Sequence, residues 1–168
     1  EEMLKAAAAR LPTDSDVLGD LGLMYVQWGK NDLALDALER AYALDPFNLR
    51  VDNSLRLVRE LLTYSEVHSE HFTVRYKPGV DEVFARDILA PMEENHRLVT
   101  GSGPGGVDHQ PFADSGGGKT VIDLMPDHEW FGVRIAGMPA IHTIAASTGP
   151  LIAMEAPREG PKNNGPYD

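Results

Sequence analysis

There is no cysteine anywhere in the 168 residues. Disulfide bridges and thiolate metal sites are excluded, and cysteine usage gives no hint of a redox compartment. Positive charge is also scarce: 15 Lys and Arg stand against 26 Asp and Glu, a net charge of −11. A nucleic-acid surface needs clustered cations, and so does attraction to an anionic membrane, so neither partner is expected. A clean apolar run is missing as well. Residues 135–154 hold no acid or base except His142, yet Gly137, Pro139, Gly149 and Pro150 interrupt them. That stretch reads as paired buried strands, not a membrane-spanning helix. The opening EEMLKAAAARLP is too acidic for a secretory leader and looks like a chain that begins mid-helix.

The length suits one ordinary domain or two small ones, and an apolar share of 42% suits a folded chain. In residues 15–48, Leu18, Leu21, Gly22 and Tyr25 fall on a first helix, Gly29 marks a turn, Ala34, Leu38 and Ala41 follow on a second helix, and Pro46 ends the unit. This spacing resembles one 34-residue tetratricopeptide repeat, with Leu18 in place of Trp. Small residues at Gly22 and Ala34 let two helices approach, and the larger ones fill the groove between them. Leu4, Ala7 and Pro12 repeat the phase of Leu38, Ala41 and Pro46, so residues 1–12 are expected to be the second helix of an earlier unit. From Leu49 to Tyr64 an amphipathic helix carries Leu55, Val58, Leu61 and Leu62 on one stripe. Arg56 stands where the repeat needs Gly, so this helix is expected to cap the array. Such arrays bind peptides or partner helices, or serve as scaffold.

After Tyr64 the period changes. His71 to Lys77 alternates, with Phe72, Val74 and Tyr76 on one face, and predicts a strand. Val80 to Val99 predicts a helix that Pro91 kinks or splits, because proline inside a helix costs about 3 kcal/mol. Residues 100–118 are rich in Gly and predict a surface loop. Thr120 to Met125 predicts a strand. Asp127 caps a short helix that ends near Gly137. Ile141–Ala146 and Leu151–Ala156 predict two more strands, joined through Ser147–Pro150, and the tail from Pro157 predicts loop. The expected fold class is an all-α helical repeat, residues 1–64, followed by an α+β lobe with a mixed sheet, residues 65–168.

Two motifs suggest chemistry and fail. GGGKT at 116–120 ends like a phosphate-binding loop, but Ala113 replaces the first glycine and a strand follows, where phosphates need a helix N-terminus. His128-Glu129 begins like a zinc-protease helix, but the second histidine is absent, and both residues read as an exposed first turn. His68-Ser-Glu-His71 places two imidazoles three apart at a strand entrance. That is a poor chelate, and they read as solvated linker histidines. No GxSxG elbow is present. No metal ligand set or other cofactor site is expected in this chain.

The segments HFTVRYKPGVDEVFARDILAPMEENHRLVTG and KTVIDLMPDHEWFGVRIAGMPAIHTIAASTGPLIAMEAPREG resemble the N-terminal part of the peptidase-MA-like domain. That domain follows tetratricopeptide repeats in bacterial proteins and belongs to the gluzincin zinc metallopeptidases. The resemblance covers residues 71–168. It implies a strand, a long helix, a strand, a short helix and two further strands, then a zinc-binding HExxH helix. HExxH is not among these residues. The chain is therefore expected to be an inactive piece of a zinc peptidase, with zinc held elsewhere in the parent and extracytoplasmic placement. Ala153-Met154-Glu155-Ala156 resembles the family's G-x-M-E-N edge strand without its Gly and Asn. The implied substrate-binding residues are Leu151, Ile152, Ala153, Met154 and Glu155, whose backbone would pair with a peptide while Glu155 holds its amino terminus. Alternatively Glu155 is a polar strand-end residue paired with Arg158. The rival to the peptidase is a non-catalytic, repeat-based module that binds a peptide or protein.

Overall fold

Four helices fill the first third of the chain: α1 (Glu2–Arg10), α2 (Ser15–Gln27), α3 (Asn31–Leu44) and α4 (Leu49–Leu61). The computed structural model describes residues 1–100, 119–139, 141, 143–148 and 151–157. Asp14 starts α2 by accepting the amides of Asp16 and Val17, and Asn48 starts α4 by accepting that of Val51. Both satisfy donors that a first helical turn leaves open. Gly29 turns the chain between α2 and α3 at φ 70°, a left-handed conformation that glycine adopts without strain. Gly22 lets the two helices close on each other: a Cβ there would sit 2.6 Å from Leu38 Cγ. Leu18, Ala34, Leu38 and Ala41 are fully buried in this hairpin.

The α4 stripe behaves as its spacing predicts at Leu55, Val58 and Leu61, all buried. Leu62 is exposed, because the helix ends at Leu61 and turns its side chain out of phase. Instead of only capping the helices before it, α4 also meets the second part. It packs on α3 on one side and on α7 on the other.

The second part contains β1 (Ser65–His68), β2 (Phe72–Tyr76), α5 (Asp81–Asp87), α6 (Leu89–Val99), β3 (Thr120–Met125), α7 (His128–Ala136), β4 (Ala145–Ser147) and β5 (Leu151–Glu155). The five strands lie in the order β1-β2-β3-β5-β4. β2, β3 and β5 are parallel, and β1 and β4 flank them antiparallel. The mixed sheet with helices is the α+β arrangement the sequence predicts. The split between α5 and α6 comes at Ile88. Pro91 has no amide to give the Asp87 carbonyl, and within the first turn of α6 it needs none. Asp127 caps α7 by accepting the Trp130 amide, and Gly137 at φ 73° stops it. The expected loop at 101–118 and the tail from 158 lie outside the described residues.

Strand alternation divides the core in two. One face presents Phe72, Val74, Tyr76, Ile122 and Leu124 to α5 and α6. The other presents Met125, Leu151 and Ala153 to α7, where they join Leu18, Tyr25, Leu55 and Leu57 of the helical part in one cluster. Thr148 Oγ1 donates to the Gln27 carbonyl and Asn53 Nδ2 to that of Gly137, across the same boundary. The change after Tyr64 is thus a change of secondary structure inside a shared core.

Candidate functional site

In an open sheet with parallel strands, ligands gather beyond the carboxyl ends of those strands. Here those ends are Tyr76, Met125 and Glu155, since Arg75 pairs with Asp123 and Met125 with Glu155. Glu155 is the charged group of the three, and its side chain is 14% exposed. His128, in the first turn of α7, reaches it: Nδ1 lies 3.2 Å from Glu155 Oε2. The other ring nitrogen, Nε2, lies 2.6 Å from the Ile141 carbonyl. Both nitrogens face acceptors, and only the imidazolium can donate to both. The Ile141 carbonyl, and behind it the Glu155 carboxylate, raise the His128 pKa above 6.5, against the opposing effect of burial. His128 is therefore a clamp between α7, the segment before β4 and the end of β5, where the sequence suggested a solvated first-turn residue.

The implied substrate strand sits elsewhere than expected. Leu151, Ile152, Ala153, Met154 and Glu155 do form β5, but β5 is an inner strand. It pairs with β3 from Val121↔Leu151 to Met125↔Glu155, and with β4 from Ala145↔Met154 to Ser147↔Ile152. An incoming peptide cannot add to a backbone that already has a strand on each side, so the expected free edge along Leu151–Glu155 is corrected. The cause is the hairpin. The chain lays β4 at the end of the sheet first, then returns to fill the space beside β3. Leu151 and Ala153 are buried in the core, and Ile152 and Met154 face α5 and α6. Among the described strands, β4 ends the sheet on this side. Arg158, the other suggested partner of Glu155, lies outside the described residues.

Beneath this end is a buried charge cluster. Asp123 on β3 accepts from Arg75 Nε across the strand pair and, at 2.9 Å, from Arg134 Nε of α7. Asp123 and Arg134 are essentially inaccessible. Burial pushes the Arg134 guanidinium below its usual pKa, and Asp123 pulls it back. Two cations share one anion, and Arg75 Nη2 and both Arg134 Nη atoms have no hydrogen-bond partner among the described residues. The Arg75 head packs against Gly29, where an added Cβ would lie 3.3 Å from Nη2.

At the opposite end of the sheet, His71 enters β2 beside Glu93 and His96 of α6. The His71 amide donates to Glu93 Oε1 at 2.8 Å, and its Nδ1 lies 2.7 Å from Glu93 Oε2. Burial pushes the Glu93 carboxyl up, but the His71 amide, the Ser69 side chain and the His71 imidazole together outweigh it and hold the pKa at about 2. His68 is not part of this group and instead meets Thr73 Oγ1 at 3.0 Å. The pair suggested by His68-Ser-Glu-His71 is thus broken up. Sequence reasoning missed Glu93 and His96, although their i, i+3 spacing puts both on one helical face. Lys119 of GGGKT donates to the Ser69 carbonyl and Thr120 opens β3, so this loop does not lead into a helix.

Comparison with family models, with curated proteins and with solved structures finds no match in any of the three.

Proposed function

We propose that this chain is the helical-repeat and sheet portion of a peptide-processing protein of the zinc metallopeptidase type, whose part is to hold an extended peptide beside the end strand of its sheet. The observation that carries the reading is the β4–β5 hairpin. It sets an antiparallel strand at the end of the sheet and brings Glu155, at the carboxyl end of β5, next to it. By the alternation of antiparallel pairing, Ile144 and Thr148 bond to Glu155 and Leu151, and the backbone groups of Ala145 face away from β5. A peptide that adds there uses main-chain pairing for affinity, with Glu155 and His128 at one end of its path. The element order β2, α5–α6, β3, α7, β4, β5 supports the family resemblance, with β1 as an addition. The helical hairpin α2–α3 is read as a tetratricopeptide-type unit that serves as scaffold, since one of its faces is spent on the sheet.

The residues present do not fit the zinc such an enzyme uses. HExxH is absent from the 168 residues, and the described neighbours of His128 supply a carboxylate and a carbonyl but no second imidazole. Hydrolysis is therefore assigned to no residue here. The test is the coding frame after Asp168. HExxH within a few tens of residues carries the peptidase reading. A frame that continues without it leaves a non-catalytic binding module. For the binding step, Ala145→Pro removes an outward amide while sparing the β4–β5 bonds. Loss of peptide binding with an unchanged far-ultraviolet spectrum is expected, and unchanged binding removes β4 as the docking strand.

A further inference from the structure

The group at the entrance of β2 has no part in peptide pairing and lies at the far end of the sheet from Glu155. We propose that His71, Glu93 and His96 form a binding site for one divalent transition metal ion of the zinc class, which ties α6 to the start of β2.

Three observations converge on it. The donor set is two imidazoles and one carboxylate, which suits zinc or nickel and leaves a fourth position for water or a partner. One donor atom from each residue lies within 4.8 Å of the others. A tetrahedral site with bonds of about 2.1 Å needs donors about 3.4 Å apart, so a movement of roughly 1 Å closes it. The framework is also suitable. Glu93 and His96 are one helical turn apart on α6, and His71 is held by the hydrogen bond its backbone amide donates to Glu93 Oε1. Metal sites in helix bundles use the same Glu-x-x-His spacing for the same reason: both side chains leave one face of the helix.

The rings themselves show what loading must change. His71 and His96 stack, with centroids 3.9 Å apart and planes 22° from parallel. Stacked imidazoles aim their lone pairs side by side, so coordination requires the rings to splay. Room exists for that: all three residues are half-buried, with one side to solvent. His96 also meets the Phe72 ring edge-on at 5.9 Å, which gives it a backstop on the core side. His68 does not contribute, because its ring is turned to Thr73.

The experiment is calorimetric titration of the whole chain, first stripped with chelator, with zinc chloride and then nickel chloride. One metal per chain is expected. Loss of an outer-shell partner alone costs about 10–100-fold in affinity. His96→Gln and His71→Gln are therefore each expected to weaken binding at least about 100-fold, and His68→Gln and His128→Gln to leave it unchanged. His96→Gln keeps a helix-compatible side chain, and Glu93→Gln, which can still accept the His71 amide, gives a second variant if folding suffers. Cobalt absorption reports the coordination directly: its visible bands should be present in the wild type and absent in His96→Gln. No binding by the wild type, or unchanged affinity in the His71→Gln/His96→Gln double variant, overturns the site. Neither result bears on the peptidase reading, which places its zinc outside these residues.

Discussion

On the face covered by α5 and α6, the sheet itself offers the apolar Phe72, Val74, Tyr76, Ile122 and Leu124, and the buried acid on that side, Asp81, belongs to the start of α5. The helix above it is loosely held, for α6 has no buried residue. The opposite face is covered by α7 and the helical hairpins, and the buried ions Arg75, Asp123 and Arg134 lie there. One sheet therefore uses two means of attachment. Apolar area holds its outer helices, and it tolerates many arrangements of similar volume. A charge cluster stands where the sheet meets the helical part. Charges buried in this way accept few arrangements, because any mismatch leaves an ion without its partner.

The largest effect should come from breaking the cluster on one side only. Asp123→Ala leaves two buried guanidiniums without their anion and is expected to cost about 3–5 kcal/mol in urea unfolding. Leu124→Ala, the next residue but on the other face, is expected to cost about 2–5 kcal/mol through its cavity. The two differ in how they are rescued. Replacing Arg75, Asp123 and Arg134 together by Met, Leu and Met should restore most of the stability lost in Asp123→Ala, because removing a buried ion network as a whole is often neutral. If the triple variant is no more stable than Asp123→Ala, the cluster is not an electrostatic unit.

A smaller effect tests whether the helical part and the sheet are one folding unit. Gly22→Ala forces a Cβ to 2.6 Å from Leu38 Cγ and is expected to cost about 1–3 kcal/mol. The chain has two tryptophans, Trp28 at the end of α2 and Trp130 on α7, so each part carries its own fluorophore. With a shared core both should report one transition, shifted together by Gly22→Ala. Separate midpoints for single-tryptophan versions would break the shared-core account. Asp127→Ala, which removes the α7 cap, should cost about 1 kcal/mol by the same assay.

How much of this was legible in the chain depends on the range of the physics involved. Local rules placed the Asp127 cap, the Gly137 stop, the break before Pro91 and the alternation of β2. They could not place β1, since Ser65–His68 holds a single apolar residue, Val67, and earns its strand by pairing with β2. They could not give strand order, and so β5 read as an edge when its hairpin with the preceding β4 makes it an inner strand. Arg75 read as the polar half of an alternating strand, and Asp123 as a lone acid within the strand Thr120 to Met125. Only the register, Arg75↔Asp123, and the arrival of α7 show that both are buried. His71 stood out in the sequence, but beside His68. Its partners lie on a helix more than twenty positions later, as in the bond to Glu93 at a separation of 22.

The smallest predicted effect concerns the third joint of the molecule, between α7 and the β4–β5 hairpin, and it carries its own pH signature. His128 donates best from both nitrogens when protonated, to the Ile141 carbonyl at 2.6 Å and the Glu155 carboxylate at 3.2 Å. Its pKa in the folded chain is raised above 6.5, the value expected once the chain unfolds. The folded state thus binds the proton more tightly. The stabilisation is complete below about pH 6.5 and is lost as pH rises through the raised value. With 36% of the His128 side chain exposed, the pair is partly screened and worth about 0.2–1 kcal/mol. His128→Gln can no longer change charge. The difference in melting temperature between wild type and His128→Gln should therefore be largest near about pH 6 and shrink toward about pH 8. A difference that grows with pH would mean the neutral ring is the form the fold prefers, and that the clamp at the carboxyl end of β5 is built on a single hydrogen bond.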